Sequence, residues 1–212
     1  MKFLTPTGGL SGYGTLVSPQ HKGIPINIKN GMPWGADLGC LDGPSFVKKM
    51  DFNKSVELLE SLIPYKNNCL FVAGFDVVYS AKDTLDAYAE FKHYFKGWPI
   101  AYVAQNGSES LPIPETAAAV FIGGLKTTDM VNGKQAEWKE SAAAVSIIKR
   151  AQASGLHVHI GRVNTMRRYR IFRVLEGSDK FTCDGTKSRY VGVKKAHMLY
   201  KRLELQPPLF QI

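Results

Sequence analysis

Short, mostly apolar segments recur along this chain and alternate with longer segments of helical periodicity. The clearest apolar runs lie at residues 69–73, 100–104, 118–122, 156–160 and 180–183. A strand that is buried on both faces lacks the polar alternation of a half-exposed strand, and such strands are typical of parallel sheets. The runs therefore predict five buried strands, and we expect two more near the N-terminus and at residues 33–37.

The segments between these runs have the apolar spacing and the end signals of helices. They predict five helices, at about residues 53–63, 83–96, 137–154, 165–176 and 192–203. Asn53 or Ser55, Asp83 and Asn164 are the expected N-terminal caps of three of these helices. The first 35 residues are rich in glycine and proline, and we expect them to form mainly irregular loops.

Repeated strand–helix units imply right-handed crossovers between parallel strands, and hence the α/β class. Seven or eight such strands in 212 residues predict a compact (β/α) TIM-type barrel, with an open doubly wound sheet as the alternative. No long linker divides the chain. We therefore expect residues 1–212 to form a single barrel domain.

The net charge of +9 is concentrated in one quarter of the chain. Residues 1–148 carry a net charge of −1, whereas residues 149–202 carry 14 basic and 3 acidic side chains, a net charge of +11. A local positive field of this kind attracts polyanions, with nucleic acid as the first candidate and an anionic membrane surface as the second. The alternative is a solvated basic face that only maintains solubility.

The three cysteines, Cys40, Cys69 and Cys183, lie far apart and form no C-x-x-C pair. This spacing indicates reduced thiols in the cytoplasm and argues against a structural zinc site. The longest apolar run, at residues 117–125, is too short for a membrane span, and the N-terminal segment breaks at Pro6 and Gly8 before a signal peptide can form. We expect a soluble cytoplasmic protein without membrane partner, metal or cofactor.

Small or polar residues follow six consecutive predicted strands. In parallel α/β folds the functional site forms at the carboxyl ends of the strands, so these residues are expected to converge. The alternatives are an aspartate that only caps a helix or a loop, a glycine pair that only turns the chain, and an asparagine that is only an N-cap. The residues in question are Asp37, Asp76, Gln105 with Asn106, Gly123 with Gly124, Gly161 with Arg162 and Asn164, and Asp184.

His157 and His159 alternate along one predicted strand and therefore share a face. Two histidines on one face can contribute to a metal site, but no third ligand lies at a suitable spacing. We therefore interpret both as hydrogen-bonded core residues.

The helix that follows Asn164 carries an arginine every three residues. Arg167, Arg170 and Arg173 share one side of this helix, whereas Arg168 falls within its apolar arc and must snorkel or pair with a carboxylate. Such a row is often only a solvated face. Together with the basic residues further along, it predicts a surface for nucleic-acid phosphates. Those further residues are Lys187, Arg189, Lys194 and Lys195.

Taken in order, the segments around these strand ends resemble the tRNA-guanine transglycosylase superfamily. The resemblance is greatest to its DNA-acting branch, the DpdA-type enzymes of phage and bacterial 7-deazaguanine DNA-modification systems, and it covers about residues 33–190. Its most specific parts are VHIGRVN and the stretch from FIGG to EWK. The matching segments are PWGAD (33–37), FDVV (75–78), VAQNG (103–107), FIGG (121–124), EWK (137–139), VHIGRVN (158–164) and DGT (184–186).

The resemblance implies a barrel enzyme that exchanges guanine for a 7-deazaguanine, such as 7-cyano-7-deazaguanine, through a covalent aspartyl intermediate. By position, Asp184 matches the nucleophile that attacks C1′, with Asp179 as the alternative, and Asp37 matches the carboxylate that handles the proton of the base. The resemblance also implies a set of substrate-binding residues. These are Asp76, Gln105, Gly123 and Gly124 around the heterocycle, and Gly161, Arg162 and Asn164 at the rim of the pocket.

The tRNA enzymes of this superfamily carry a C-x-C-x-x-C…His zinc site, and this sequence contains no such cluster. DNA is therefore the expected substrate and tRNA the less favoured one, with either a target base flipped out of the stack or a single-stranded substrate. A partner protein or a second copy of the chain is a candidate source of further DNA contacts. If the protein is phage-encoded, we expect it in the host cytoplasm. A base-excising glycosylase and a catalytically inactive nucleic-acid-binding module are the alternative functions.

Overall fold

The computed structural model of the chain describes residues 2–6, 12–45, 49–124, 126–131, 134–177 and 179–185, together with Lys195, Met198, Lys201, Arg202 and Leu205. The described part contains ten strands. In chain order they are β1 (Lys2–Thr5), β2 (Gly14–Val17), β3 (Trp34–Asp37), β4 (Cys69–Ala73), β5 (Ala101–Ala104), β6 (Ala119–Ile122), β7 (Lys126–Val131), β8 (Lys134–Glu137), β9 (His157–Ile160) and β10 (Phe181–Asp184).

Eight of these strands form an all-parallel, nearly closed barrel. β1 pairs with β2 and with β10, and the order then runs from β10 through β9 and β6 to β5. On the other side, β3 and β4 follow β2, and the bridge between Val72 and Ile100 joins β4 to β5. The strands that remain, β7 and β8, form a separate antiparallel hairpin. This arrangement confirms the predicted α/β class and TIM-type barrel.

Helices cover the outside of the barrel. They are α1 (Ile26–Lys29), α2 (Phe52–Ser61), α3 (Ala81–Phe91), α4 (Ala142–Ala153) and α5 (Met166–Val174). Single 3₁₀ turns or short 3₁₀ helices occur at Ile63–Asn68, Lys92–Phe95, Ser108–Ser110 and Trp138–Glu140.

Several predicted helix starts were wrong, because a neighbouring side chain with better geometry forms the cap. The predicted caps Asn53 or Ser55, Asp83 and Asn164 are replaced by other residues that accept the hydrogen bond. The helix predicted from residue 137 begins five residues later, because a strand and a 3₁₀ turn take up residues 134–140. The caps of α2 to α5 are Asp51, Ser80, Ser141 and Thr165.

The N-terminal region is more regular than its glycine and proline content predicts. Both β1 and β2 lie within the first 35 residues, where we expected mainly loops. β2 begins at Gly14 and is followed by Ser18 and Pro19, so it lacks the usual signal of a longer apolar run. The helix predicted at 192–203 lies mostly outside the described residues, although Lys195, Met198, Lys201 and Arg202 are helical.

Side chains of the barrel strands alternate between two apolar layers. Outward-facing residues such as Trp34 and Tyr102 pack with the helices, and Phe3 stacks on Tyr169 of α5 at a centroid distance of 5.5 Å. The smaller inner cluster fills the barrel interior. It contains Leu4, Phe71, Ala73, Ala101, Val103 and Ala119, with Leu16, Leu70 and Phe121 packed against it.

Phe71 occupies the middle of this interior and determines which residues its neighbours can be. Its ring lies edge-on to Phe121 and contacts the imidazoles of His157 and His159. On the adjacent strand, a Cβ at Gly35 would lie 2.5 Å from the Phe71 ring. Gly35 therefore leaves the space that the ring fills.

Replacing Gly35 with alanine tests this packing. Because the added methyl group forces the Phe71 ring or a strand to move, we expect Gly35→Ala to lower the free energy of unfolding by about 1–3 kcal/mol. Gly177→Ala is the control, since Gly177 is exposed and its nearest neighbour is the flexible end of Gln152. Urea unfolding measures both changes, and equal stability of the two variants would contradict this account of the interior.

Candidate active site

A cavity of about 280 Å³ opens at the carboxyl ends of the barrel strands. Its volume lies near the lower end of the range for pockets that bind small molecules. Eight of the nine residues proposed from the sequence as catalytic or substrate-binding line it together. They are Asp37, Asp76, Gln105, Gly123, Gly124, Gly161, Arg162 and Asp184.

The ninth residue, Asn164, is not among the residues that line the cavity. It directly precedes Thr165, the cap of α5, and its side-chain oxygen lies beside Gly185. This position places Asn164 next to the strand ends rather than on the wall of the pocket.

Asp184 ends β10 at the bottom of the cavity, with 6% of its surface exposed. Its Oδ2 lies 3.2 Å from Nε2 of His159, and its Oδ1 accepts a hydrogen bond of 3.1 Å from the backbone N–H of Arg162. Arg162 has a φ of 59°, a conformation that side-chain-bearing residues rarely adopt outside functional sites. The local backbone thus holds this carboxylate in one orientation.

Asp179, the alternative nucleophile, lies at the other end of the same strand. It is exposed and precedes β10, whereas Asp184 ends it. Since the strand runs towards the cavity, only Asp184 of these two aspartates reaches the pocket.

A chain of buried hydrogen bonds runs along the barrel interior to Asp184. Nε2 of His157 lies 2.8 Å from Oγ1 of Thr182, and Nδ1 of His159 lies 2.9 Å from the same oxygen. The pKa of His157 is lowered to about 3, mainly by burial and then by its neighbour His159. Both histidines are therefore hydrogen-bonded core residues, as predicted, and together they also support the pocket carboxylate.

The direction of each hydrogen bond in this chain follows from the chemistry of its ends. A carboxylate oxygen accepts, so Nε2–H of His159 is the donor to Asp184. In this tautomer of His159, Nδ1 accepts from the hydroxyl of Thr182, which in turn accepts from Nε2–H of His157. The His159 ring lies between Phe71 and Phe121, with centroid distances of 4.6 and 4.8 Å. These contacts fix its orientation.

Asp37 and Asp76 form the second group of carboxyls in the cavity. The pKa of Asp76 is raised to about 6, mainly by burial and then by the negative charge of Asp37, against the lowering effect of a backbone hydrogen bond and of Arg162. Asp37 accepts a hydrogen bond of 3.1 Å from the backbone N–H of Gly39. The pocket therefore contains a carboxyl that can gain or lose a proton near neutral pH.

The side-chain amide of Gln105 is turned into the loop after β4. Its Nε2 donates to the carbonyl oxygen of Val77 at 2.8 Å and to Oγ1 of Thr84 at 2.7 Å, and its Oε1 accepts from the backbone N–H of Tyr79 at 3.0 Å. Both amide hydrogens are thus engaged within the protein. The contact through Oε1 holds the backbone of Tyr79, whose side chain is 61% exposed and whose φ is 74°.

Gly123 and Gly124 form the wall of the cavity at the end of β6. Gly124 has a φ of 79°, and a Cβ there would lie 2.6 Å from the ring of Trp138. The glycine therefore allows Trp138 to pack closely against this wall. That packing positions the next residue, Lys139, at the cavity.

Lys139 is a site residue that the sequence analysis did not select. Its side chain is 2% exposed, lines the cavity, and donates a hydrogen bond of 2.8 Å to the carbonyl oxygen of Gly161. Its pKa is lowered to about 8, mainly by burial and then by the nearby charge of Arg168, against the raising effect of Asp184 and Glu137. Its place in the EWK segment was a signal, but a lysine between two glutamates normally indicates an exposed helix face.

Two of the arginines of α5 pair with glutamates, whereas a phosphate-binding row would need them to face solvent. Arg168 pairs with Glu140 at 2.8 Å and with Glu137 at 3.3 Å, so the predicted pairing with a carboxylate is confirmed. Arg167, although 71% exposed, also binds Glu140 at 2.8 Å.

The other predicted phosphate-binding residues differ in position. Arg170 and Arg173 are partly buried, and Arg173 lies about 9 Å along the helix axis from Arg167. Lys195 is exposed. Lys187, Arg189 and Lys194 lie outside the described residues.

Within the described ranges, no group of three or more histidine, cysteine, aspartate or glutamate side chains is arranged to hold a metal ion. The helices of these same ranges are all too short or too polar to cross a bilayer.

Comparisons with known proteins leave the family of this chain open. No family model matches it, and no curated protein matches it. Among solved structures, RipC from Yersinia pestis is 9% identical, with a TM-score of 0.44 over 92% of this chain and 94% of that one. A similarity this weak supports no argument about function.

Replacing Thr182 with valine tests the buried hydrogen-bond chain. Because Thr182 serves both histidines, we expect Thr182→Val to lower the free energy of unfolding by about 1–3 kcal/mol. Thr15→Val is the control, since Thr15 is fully buried and its hydroxyl has no hydrogen-bond partner among the described residues. Loss of the Thr15 hydroxyl should leave the free energy of unfolding unchanged or slightly higher. Chemical denaturation distinguishes the two outcomes.

The raised pKa of Asp76 predicts a pH-dependent effect on stability. Because the folded protein binds this proton more tightly than the unfolded chain, the contribution of Asp76 to stability falls as the pH rises through about 4 to 6. We expect Asp76→Asn to be more stable than the parent protein at pH 8, and this difference to shrink towards pH 4. Melting temperatures of both proteins across this range measure it.

Asp42→Asn is the control for this experiment. The hydrogen bond from Lys49 lowers the pKa of the exposed Asp42, so the sign of its pH dependence is reversed. We expect only a small effect, because the pair is exposed. A stability difference for Asp76→Asn that does not change with pH would contradict the assigned burial of this carboxyl.

Proposed function

We propose that this protein is a DNA-guanine transglycosylase, a pentosyltransferase that exchanges guanine in DNA for a 7-deazaguanine such as 7-cyano-7-deazaguanine. The observation that carries the proposal is the carboxylate of Asp184, which is held by His159 and by the backbone of Arg162 in one pocket with Asp37 and Asp76. A carboxylate in a fixed orientation, with two further carboxyls beside it, suits chemistry at a glycosidic carbon.

In the first step Asp184 attacks C1′ of the flipped deoxynucleotide. A bond forms between a carboxylate oxygen and C1′, the bond from C1′ to N9 breaks, and its electron pair leaves with guanine. The transition state resembles an oxocarbenium ion, and the nearby negative charge stabilises it. The contacts with His159 and with the backbone N–H of Arg162 hold the carboxylate in place and limit the reorientation that attack requires.

In the second step the incoming base reverses this chemistry. Its N9 attacks C1′, the ester bond to Asp184 breaks, and the N9 proton is released. Guanine takes up one proton when it leaves and the incoming base gives up one, so the whole exchange is proton-neutral. Asp37 is our candidate for moving this proton, and next to it lies Asp76, whose pKa is raised to about 6 by burial and by the charge of Asp37.

The walls of the cavity suit a planar base. Carboxylate oxygens of Asp76 can accept from N1–H and the N2 amino group of a guanine. Gly123 and Gly124 leave room for a flat heterocycle against the end of β6. In this proposal Gln105 acts indirectly, because its amide hydrogens already hold the loop that carries Asp76 and Tyr79.

Three features favour a nucleic acid, and DNA in particular, as the substrate. The excess positive charge lies in residues 149–202, which contain Asp184 itself. Arg162 is exposed at the rim of the cavity, where a flipped nucleotide would bring its phosphates. The absence from the sequence of the zinc cluster found in the tRNA enzymes favours DNA over tRNA.

Replacing Asp184 with asparagine tests the assignment of the nucleophile. Asparagine keeps the size of the side chain but cannot form the ester, so we expect base exchange to fall by about 10³-fold or more while DNA affinity is retained. The assay follows guanine release from labelled DNA and the modified deoxynucleoside by mass spectrometry, with 7-cyano-7-deazaguanine as the incoming base. Asp179→Asn is the matched control and should retain full activity.

Three other outcomes would change the functional assignment. Exchange by the Asp184→Asn protein would overturn the mechanism. Guanine release without insertion by the parent protein would indicate a base-excising glycosylase. No release from double-stranded DNA, single-stranded DNA or tRNA would leave a nucleic-acid-binding module.

A further inference from the structure

Lys139 carries a buried positive charge, and the fold engages only part of its hydrogen-bonding capacity. Its ammonium group has three N–H donors, and one of them binds the carbonyl oxygen of Gly161. Among the described residues no carboxylate lies within ion-pair distance of its Nζ. Buried charges are normally paired, and buried donors are normally hydrogen-bonded, because leaving them unpaired is costly.

The two neighbouring glutamates do not neutralise this lysine. Glu137 and Glu140 flank it in sequence, but Glu137 binds Arg168, and Glu140 binds both Arg167 and Arg168. The acidic side chains on either side are therefore engaged by α5. Lys139 therefore lies inside the cavity, while the two glutamates next to it in sequence form ion pairs with other residues.

The position of Lys139 places its remaining donors at the wall where a base would lie. Trp138 packs against Gly124 at the end of β6, and Nζ of Lys139 binds Gly161, at the end of the adjacent strand β9. The Lys139 side chain lines the same cavity as Asp76 and Asp184.

We propose that Lys139 donates a hydrogen bond to O6 of a 6-oxopurine and thereby makes the pocket specific for 6-oxo over 6-amino bases. The inference rests on the proposed function for the kind of ligand. Within that function O6 needs a donor, and the amide of Gln105 is engaged by the loop after β4. Lysine only donates, so it can satisfy the O6 of guanine or of a 7-deazaguanine but not the 6-amino group of adenine.

This contact also assists the chemistry. When the glycosidic bond breaks, the electron pair that leaves with the base increases the negative charge on O6. A cation next to O6 therefore binds the departing base more strongly in the transition state than in the ground state. The same contact serves both guanine and the incoming 7-deazaguanine, because the two bases share the 6-oxo group.

Equilibrium binding of free bases tests this assignment without requiring turnover. Guanine and 2,6-diaminopurine both carry the 2-amino group and differ in whether position 6 offers an acceptor or an amino donor. We expect the parent protein to prefer guanine by about tenfold or more, as measured by calorimetry. Lys139→Met should lose most of this preference, because its affinity for guanine falls while its affinity for 2,6-diaminopurine stays nearly unchanged.

Two further variants separate the role of the donor from general effects. Lys139→Arg restores a donor and should recover part of the preference. Lys149→Met is the matched control, since Lys149 is exposed on α4 and does not line the cavity. Melting temperatures verify the fold of each variant, and the preference of the parent protein alone tests the proposal if Lys139→Met does not fold.

The outcomes distinguish this inference from the proposed function. Equal binding of both bases by the parent protein, binding of neither, or a preference that survives in Lys139→Met would overturn the role of Lys139. Base exchange in DNA by a protein with any of these results would leave the proposed function intact. A Lys139-dependent preference for guanine without any exchange would retain base recognition and reject the transglycosylase.

Discussion

The ring of Phe71 in the middle of the barrel is the contact on which the rest of the interior depends. An eight-stranded barrel encloses a space that only side chains can fill, and Phe71 fills it from β4. Gly35 must then lack a side chain, Phe121 must turn its edge to the ring, and His157 and His159 must lie against it. The aromatic packing therefore determines where the histidine rings stand, and with them Asp184.

Polar groups inside an apolar barrel are stable only when each finds a partner, and this requirement connects the core to the pocket. Thr182 lies between the two histidines and bonds both, and His159 continues the chain to Asp184. The carboxylate at the pocket is thus supported by residues that never reach the cavity. A rigid scaffold under a reactive group reduces the reorganisation that reaction requires.

Ion pairs around α5 divide the nearby basic residues into a group that binds glutamates and a group that lines the cavity. Arg167 and Arg168 are held by Glu137 and Glu140, and these ion pairs fasten the helix to the turn that carries Lys139. Arg162 remains exposed at the rim and Lys139 remains buried at the wall. The net charge of a segment therefore says little about which of its members can meet a ligand, because pairing across the fold decides that.

The sequence by itself determined the barrel class, the positions of six of its eight strands within about a residue, and the polar residues at the strand ends. These features are local, since the burial pattern of a strand and the residue that follows it are both written in consecutive positions. Only the tertiary structure decided that Gln105 serves a loop, that Asp179 lies away from the pocket, and that Lys139 lies within it. Each depends on contacts between residues distant in sequence, and the closing of the barrel brings these together.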